Sequence, residues 1–98
     1  MPGKPAARIT DQTAHGGTIV EGDTTVLIGN KPAARVGDYH ICPDRCPGGQ
    51  RHDGGPILPP GGVTVLIGNR PAARIGDQAQ CTCATDVIVT GQEDVLIG

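Results

Sequence analysis

The chain has 98 residues with Gly 16, Pro 9, Cys 4, one Tyr and no Phe or Trp, and its net charge is −2. A core this small rarely stabilises a domain by more than about 3–5 kcal/mol without a staple, and the lack of large aromatics leaves Val, Ile, Leu and Ala to fill it. The eight Lys and Arg are scattered, which argues against a surface that tracks nucleic-acid phosphates; with no apolar run of leader or membrane-span length, residence in the cytoplasm is expected.

Taken in order, the chain repeats itself. Pro5-Ala-Ala-Arg8, Pro32-Ala-Ala-Arg35 and Pro71-Ala-Ala-Arg74 open three units, and Val26-Leu-Ile-Gly29, Val65-Leu-Ile-Gly68 and Val95-Leu-Ile-Gly98 close them. The units run about 3–29, 30–68 and 69–98, within one domain spanning 1–98. Repeats this short cannot bury a hydrophobic face alone and must share a core, so a ring with pseudo-threefold symmetry is expected. The two chain ends read as halves of one interrupted junction.

Pro or Gly breaks every window long enough for an amphipathic helix, which makes the fold class all-β. The spacing predicts three β-hairpins, one per unit. Thr18–Glu21 turns through Gly22-Asp23 into Thr24–Ile28, Pro56–Pro59 turns into Val63–Ile67, and Asp86–Val89 turns into Asp94–Ile97. Each Pro-Ala-Ala-Arg is expected in an extended connection, since Pro fixes φ and restricts the residue before it. Alternation places Val26 and Ile28 on one face and Leu27 on the other, without saying which face is inside. Arg8 and Asp11, Arg35 and Asp38, and Arg74 and Asp77 share one spacing. They read either as ion pairs that tie a turn or as solvated charges.

All the His and Cys fall between the Asp after Pro-Ala-Ala-Arg and the next strand: His15; His40, Cys42, Cys46 and His52; Cys81 and Cys83. In a threefold arrangement these segments meet at one end of the axis, where one zinc would take four N or S ligands and act as the staple. Other readings stand beside it: a surface His in a Gly-rich turn, a Cys42/Cys46 redox pair, or a small buried thiol.

The repeated Pro-Ala-Ala-Arg followed by Gly-Asp, together with Asp11-x-Thr-x-His15-Gly-Gly, Gly37-Asp-Tyr-His40-x-Cys42-Pro, His52-x-Gly-Gly-Pro56 and Gly76-Asp-x-x-x-Cys81, resembles the PAAR-repeat family of type VI secretion spike tips over essentially the whole chain. The resemblance implies a small conical β-protein. Its flat base would sit on a trimeric valine-glycine-repeat (VgrG) spike, and its apex would be held by one Zn²⁺ bound by three His and one Cys. Residue by residue, that implies His15, His40, His52 and Cys81, with Cys42 as rival sulfur. Cys83 departs from the family's pattern, which has Gly there.

The function implied is a structural, non-catalytic tip that sharpens the spike for membrane puncture and serves as a mount for effectors or adaptors. It would be monomeric by itself and exported from the cytoplasm through the secretion apparatus into the extracellular space or a target cell. It would touch the target membrane only in passing. No stretch outside the repeats is expected to serve as a toxin domain. The alternatives are a zinc-dependent hydrolase, disfavoured by the absence of Ser, of a phosphate-cradling loop and of paired carboxylates beside the His, and a metal-carrier or redox protein using the Cys pairs.

Overall fold

The computed structural model describes residues 3–42, 54–81 and 85–97. Every regular element among them is a strand: β1 (Lys4–Ala6), β2 (Thr18–Ile19), β3 (Asp23–Ile28), β4 (Lys31–Ala33), β5 (Tyr39–Ile41), β6 (Gly55–Pro56), β7 (Gly62–Ile67), β8 (Arg70–Ala72), β9 (Gln78–Gln80), β10 (Thr85–Val87) and β11 (Gln92–Ile97). The all-β expectation therefore holds over the described residues, and no helix there is long and apolar enough to cross a membrane.

The hairpins are not the expected ones. β3 pairs with β4, β7 with β8 and β11 with β1, while β2 joins β5 and β6, and β9 pairs with β10. A two-residue hairpin loop of the type that matches strand twist needs positive φ at both central residues. Gly29 (φ 58) and Asn30 (φ 67), and likewise Gly68 (φ 58) and Asn69 (φ 66), supply it, whereas neither Gly22 nor Asp23 has positive φ. The turn therefore falls after Val-Leu-Ile, and the first residues of Pro-Ala-Ala-Arg become its return strand rather than a free connection: Ile28 faces Lys31, and Leu27 faces Pro32. Pro is tolerated there because it sits on an edge strand. In the third case the hairpin is open. Lys4 faces Ile97 and Pro5 faces Leu96, so β1 and β11 meet at the junction read from the repeats.

Where the three Pro-Ala-Ala-Arg copies meet, the backbone closes a cycle. The Ala7 N–H donates to the Ala73 carbonyl (2.9 Å), Ala73 to Ala34 (3.0 Å) and Ala34 to Ala7 (3.0 Å). A second cycle runs from Ile9 to Pro32, Val36 to Pro71 and Ile75 to Pro5. Only small side chains let three backbones come this close. Ala7, Ala34 and Ala73 are buried with Ile19, Ile57 and Ile88 in one cluster, and Ala6, Ala33 and Ala72 with Ile67 and Ile97 in a second. The three isoleucines of the first cluster occupy matching places, each N–H bonded to the carbonyl of Asp11, Asp38 or Asp77.

The Arg-Asp spacing resolves as buried clamps rather than solvated charges. Each Asp carboxylate accepts from its own Arg backbone N–H and from Nε and Nη2 of the guanidinium, for instance 2.9, 3.0 and 2.9 Å at Arg35 and Asp38. The other two copies repeat the pattern, and Asp11, Asp38 and Asp77 are all buried. The alternation in the long strands is also settled. Val26 and Ile28 pack on the second cluster, while Leu27, Leu66 and Leu96 are 59, 60 and 53% exposed.

Two outcomes follow from this packing. Thr10 sits at φ 77, where the other copies place Gly37 (φ 94) and Gly76 (φ 92); a β-branched residue there is strained by about 1–3 kcal/mol. Thr10→Gly should raise the melting temperature by several degrees, given about 4–8 °C per kcal/mol in a domain of this size. Gly76→Thr should lower it, because an added Cβ meets nothing nearer than the tip of Lys4 at 3.6 Å and the loss reports backbone strain alone. Asp38→Ala removes three hydrogen bonds from Arg35 but leaves its guanidinium the 3.6 Å contact to Asp23, and should cost about 1.5–3 kcal/mol in denaturant unfolding.

Candidate metal centre

The period-2 alternation of the short strands decides which side chains turn inward. Along β5 the burial pattern is exposed, buried, exposed, so His40 points in while Tyr39 and Ile41 point out, and the next inward position is Cys42. Along β9 the same pattern buries Ala79 and brings Cys81 in after it. On β10 the inward residue is Asp86, directly opposite Ala79. His15 comes from a tight turn. The Gly17 N–H donates to Thr13 Oγ1 at 3.0 Å, the Gly16 N–H to the Thr13 carbonyl at 3.0 Å, and the His15 N–H to Asp86 Oδ1 at 3.0 Å. Any side chain at Gly17 would run into the Ile41 carbonyl and the Thr13 hydroxyl.

These side chains converge. The donor atoms of His15, Cys42, Cys81 and Asp86 lie within 4.8 Å of one another. His15 Nδ1 is 3.8 Å from Cys42 Sγ and 3.7 Å from Cys81 Sγ. His40 Nε2 is 3.6 Å from Cys81 Sγ and 3.3 Å from Asp86 Oδ2. Of the expected ligands, the structure brings His15, His40 and Cys81 together; His52 lies outside the described residues, as do Cys46 and Cys83. Asp86 was not foreseen. Its signal was the alternation of β10, which sets it on the same side as buried Ile88.

The electrostatics of the cluster suit a cation. The Gly55 carbonyl can only accept, so its 2.9 Å contact puts a proton on His40 Nδ1. That is the arrangement by which ligating histidines are oriented from behind, leaving Nε2 toward the metal. Burial pushes the Asp86 carboxyl up, but bonds from the Thr13 hydroxyl and from the Val87 and His15 N–H groups, with the charge of His15, outweigh it and hold the group below its ordinary value. Burial, then Cys42 and the Asp86 charge, push the Cys81 thiol up to about 12.

Thiol, imidazole and carboxylate together form the donor chemistry of zinc rather than of magnesium or calcium. For bond lengths of about 2.0–2.1 Å to nitrogen and 2.3 Å to sulfur, a tetrahedral site has donor-to-donor edges of about 3.3–3.8 Å; neighbouring donors here stand 3.3 to 3.9 Å apart within a set that spans up to 4.8 Å. The residues therefore fit the group. Bound there, the ion would cross-link the turn at His15, the end of β5 and the β9–β10 pair.

Since the Cys81 thiol is protonated at neutral pH in the metal-free fold and a metal takes the thiolate, zinc uptake must release protons. Calorimetric titration of metal-free protein in buffers of different ionisation enthalpy should show at least one proton released per zinc bound.

The PAAR motif family model matches the chain twice, over residues 10–50 and 47–98. No curated protein matches the chain at a significant level. With the matched segments covering nearly the whole length, and with the Pro-Ala-Ala-Arg copies forming the closed backbone cycle, the chain belongs to the PAAR motif family.

Proposed function

We propose that this protein is the tip of a type VI secretion spike, a structural part rather than an enzyme, which caps a trimeric VgrG-type spike protein. The observation that carries the reading is the cycle Ala7, Ala73, Ala34, in which each copy bonds to another and the last returns to the first. Such a cycle supports three units, 3–29, 30–68 and 69–98, arranged about a pseudo-threefold axis. A single chain built this way presents one surface three times, which is what a threefold partner requires. The exposed Leu27, Leu66 and Leu96 stand at matching positions of the three hairpins and are the side chains that such a partner would meet.

The His and Cys cluster draws on all three units and serves, with Zn²⁺ bound, as the staple at the apex of a cone. His40, Cys81 and Asp86 are fully buried and Cys42 nearly so, while the His15 side chain is 24% exposed; a mostly buried donor set supports a structural site over a hydrolytic one, since a catalytic zinc keeps a position open to water. In this reading the protein is monomeric alone, is made in the cytoplasm, leaves through the secretion apparatus and crosses a target membrane only as the spike does. Effectors or adaptors riding on the tip belong to the same proposal.

Light scattering on the zinc-loaded chain mixed with a trimeric valine-glycine-repeat spike protein from the same genome should give one chain per trimer. Leu66→Glu should weaken the complex at least tenfold without changing the melting temperature of the free chain by more than a few degrees. Three chains per trimer, or no complex, would sink the proposal.

A further inference from the structure

Each Pro-Ala-Ala-Arg is preceded by a cation, Lys4, Lys31 or Arg70, and two of the three are engaged. Lys31 Nζ donates to Thr10 Oγ1 at 2.8 Å, and Arg70 Nη1 stands 3.6 Å from Asp38 Oδ1. Lys4 reaches over Gly76 and has no hydrogen-bond or ion-pair partner among the described residues. Beside it lies a cleft of about 260 Å³ whose charged groups are Lys4, Arg74 and Asp77, with Leu58, Pro59 and Pro60 as an apolar wall. Arg74 is clamped to Asp77 at 3.0 Å, so the ammonium of Lys4 is left as excess positive charge.

The matching cleft of the preceding copy, about 340 Å³, is balanced: Arg35 and Arg70 face Glu21 and Asp38. The Val20 N–H donates to the Tyr39 carbonyl as the Leu58 N–H does to that of Gln78, so Pro59 stands where the balanced cleft has Glu21. One substitution of residue type thus removes a carboxylate and adds apolar surface.

We propose that the Lys4 cleft binds an acidic segment of a partner polypeptide, whose carboxylate meets Lys4 Nζ while an apolar neighbour lies on Leu58, Pro59 and Pro60. Charge complementarity selects this occupant. Phosphate sites converge several N–H donors or an open guanidinium fork, whereas here the Arg74 fork is taken by Asp77 and a single ammonium stands beside an apolar wall. The cleft uses none of Leu27, Leu66 and Leu96, so this contact is separate from docking on a spike, and it takes one partner segment per chain.

Amide shifts of the full, zinc-loaded, isotope-labelled chain titrated with the peptide acetyl-Leu-Glu-Leu-Glu-amide test the proposal. Saturable shifts at Lys4, Gly76 and Gln78 are expected, absent with acetyl-Leu-Gln-Leu-Gln-amide and lost at about 1 M salt, where the screening length is about 3 Å. Lys4→Gln, at an exposed position, should weaken binding about threefold, as for a surface ion pair. Pro59→Glu, which restores the balance of the other cleft, should do so at least equally, and decides the matter should Lys4→Gln fail to fold. An equal response to the glutamine peptide, no response at millimolar peptide, shifts away from the cleft, unchanged binding in either variant, or the same shifts with inorganic phosphate alone would each overturn the proposal.

Discussion

Three backbone hydrogen bonds among Ala7, Ala34 and Ala73 are the constraint on which the structure depends. A chain with a net charge of −2 and no Phe or Trp cannot rely on bulky side chains to hold its repeats together, so it brings the backbones themselves into contact. Such bonds are worth only about 1 kcal/mol each in net terms, but they fix geometry. A side chain larger than Ala at these positions would push three segments apart at once. The isoleucines Ile19, Ile57 and Ile88 then fill the space beside the cycle, each held by a bond to the carbonyl of the neighbouring buried Asp.

The Arg-Asp clamps and the His-Cys cluster address different weaknesses of the same design. Each clamp is local and closes a four-residue turn at a buried carboxylate, which keeps Pro-Ala-Ala-Arg at the right angle to leave the cycle. The cluster is non-local and ties together segments that lie far apart in sequence, as the His15 to Asp86 bond shows even without an ion. Asp86 accepts from the Val87 and His15 N–H groups, and its Oδ2 stands 3.3 Å from His40 Nε2. A cation bound among them would add to these bonds in holding polar groups inside so small a molecule.

Much of this was legible in the residues and some was not, for identifiable reasons. The triple Pro-Ala-Ala-Arg announced a shared core, and the constant Arg to Asp spacing announced the clamps, because both are short-range patterns that survive without knowledge of partners. Gly22-Asp23 and Gly29-Asn30 look alike as turn formers, so residue type does not say which pair closes the hairpin; what separates them is φ, positive at both residues of the second pair. Asp86 is harder to read, because a carboxylate at the start of a strand ordinarily faces water; alternation sets it on the side of Ile88, and the pairing of β10 with β9 makes that side the inner one. The resemblance offers Cys42 as a rival to Cys81, whereas the fold brings both to His15.

The open third hairpin carries a consequence for how the molecule can be rewired. Because Lys4 and Ile97 already face each other as Lys31 and Ile28 do across a Gly-Asn turn, a short linker could splice these strands and the backbone could be cut at Asn30 or Asn69 instead. The permuted circle would keep every bond of the alanine cycle while presenting its new ends on a different flank, so the fold dictates a cyclic order of strands and is indifferent to where along that circle the chain is opened.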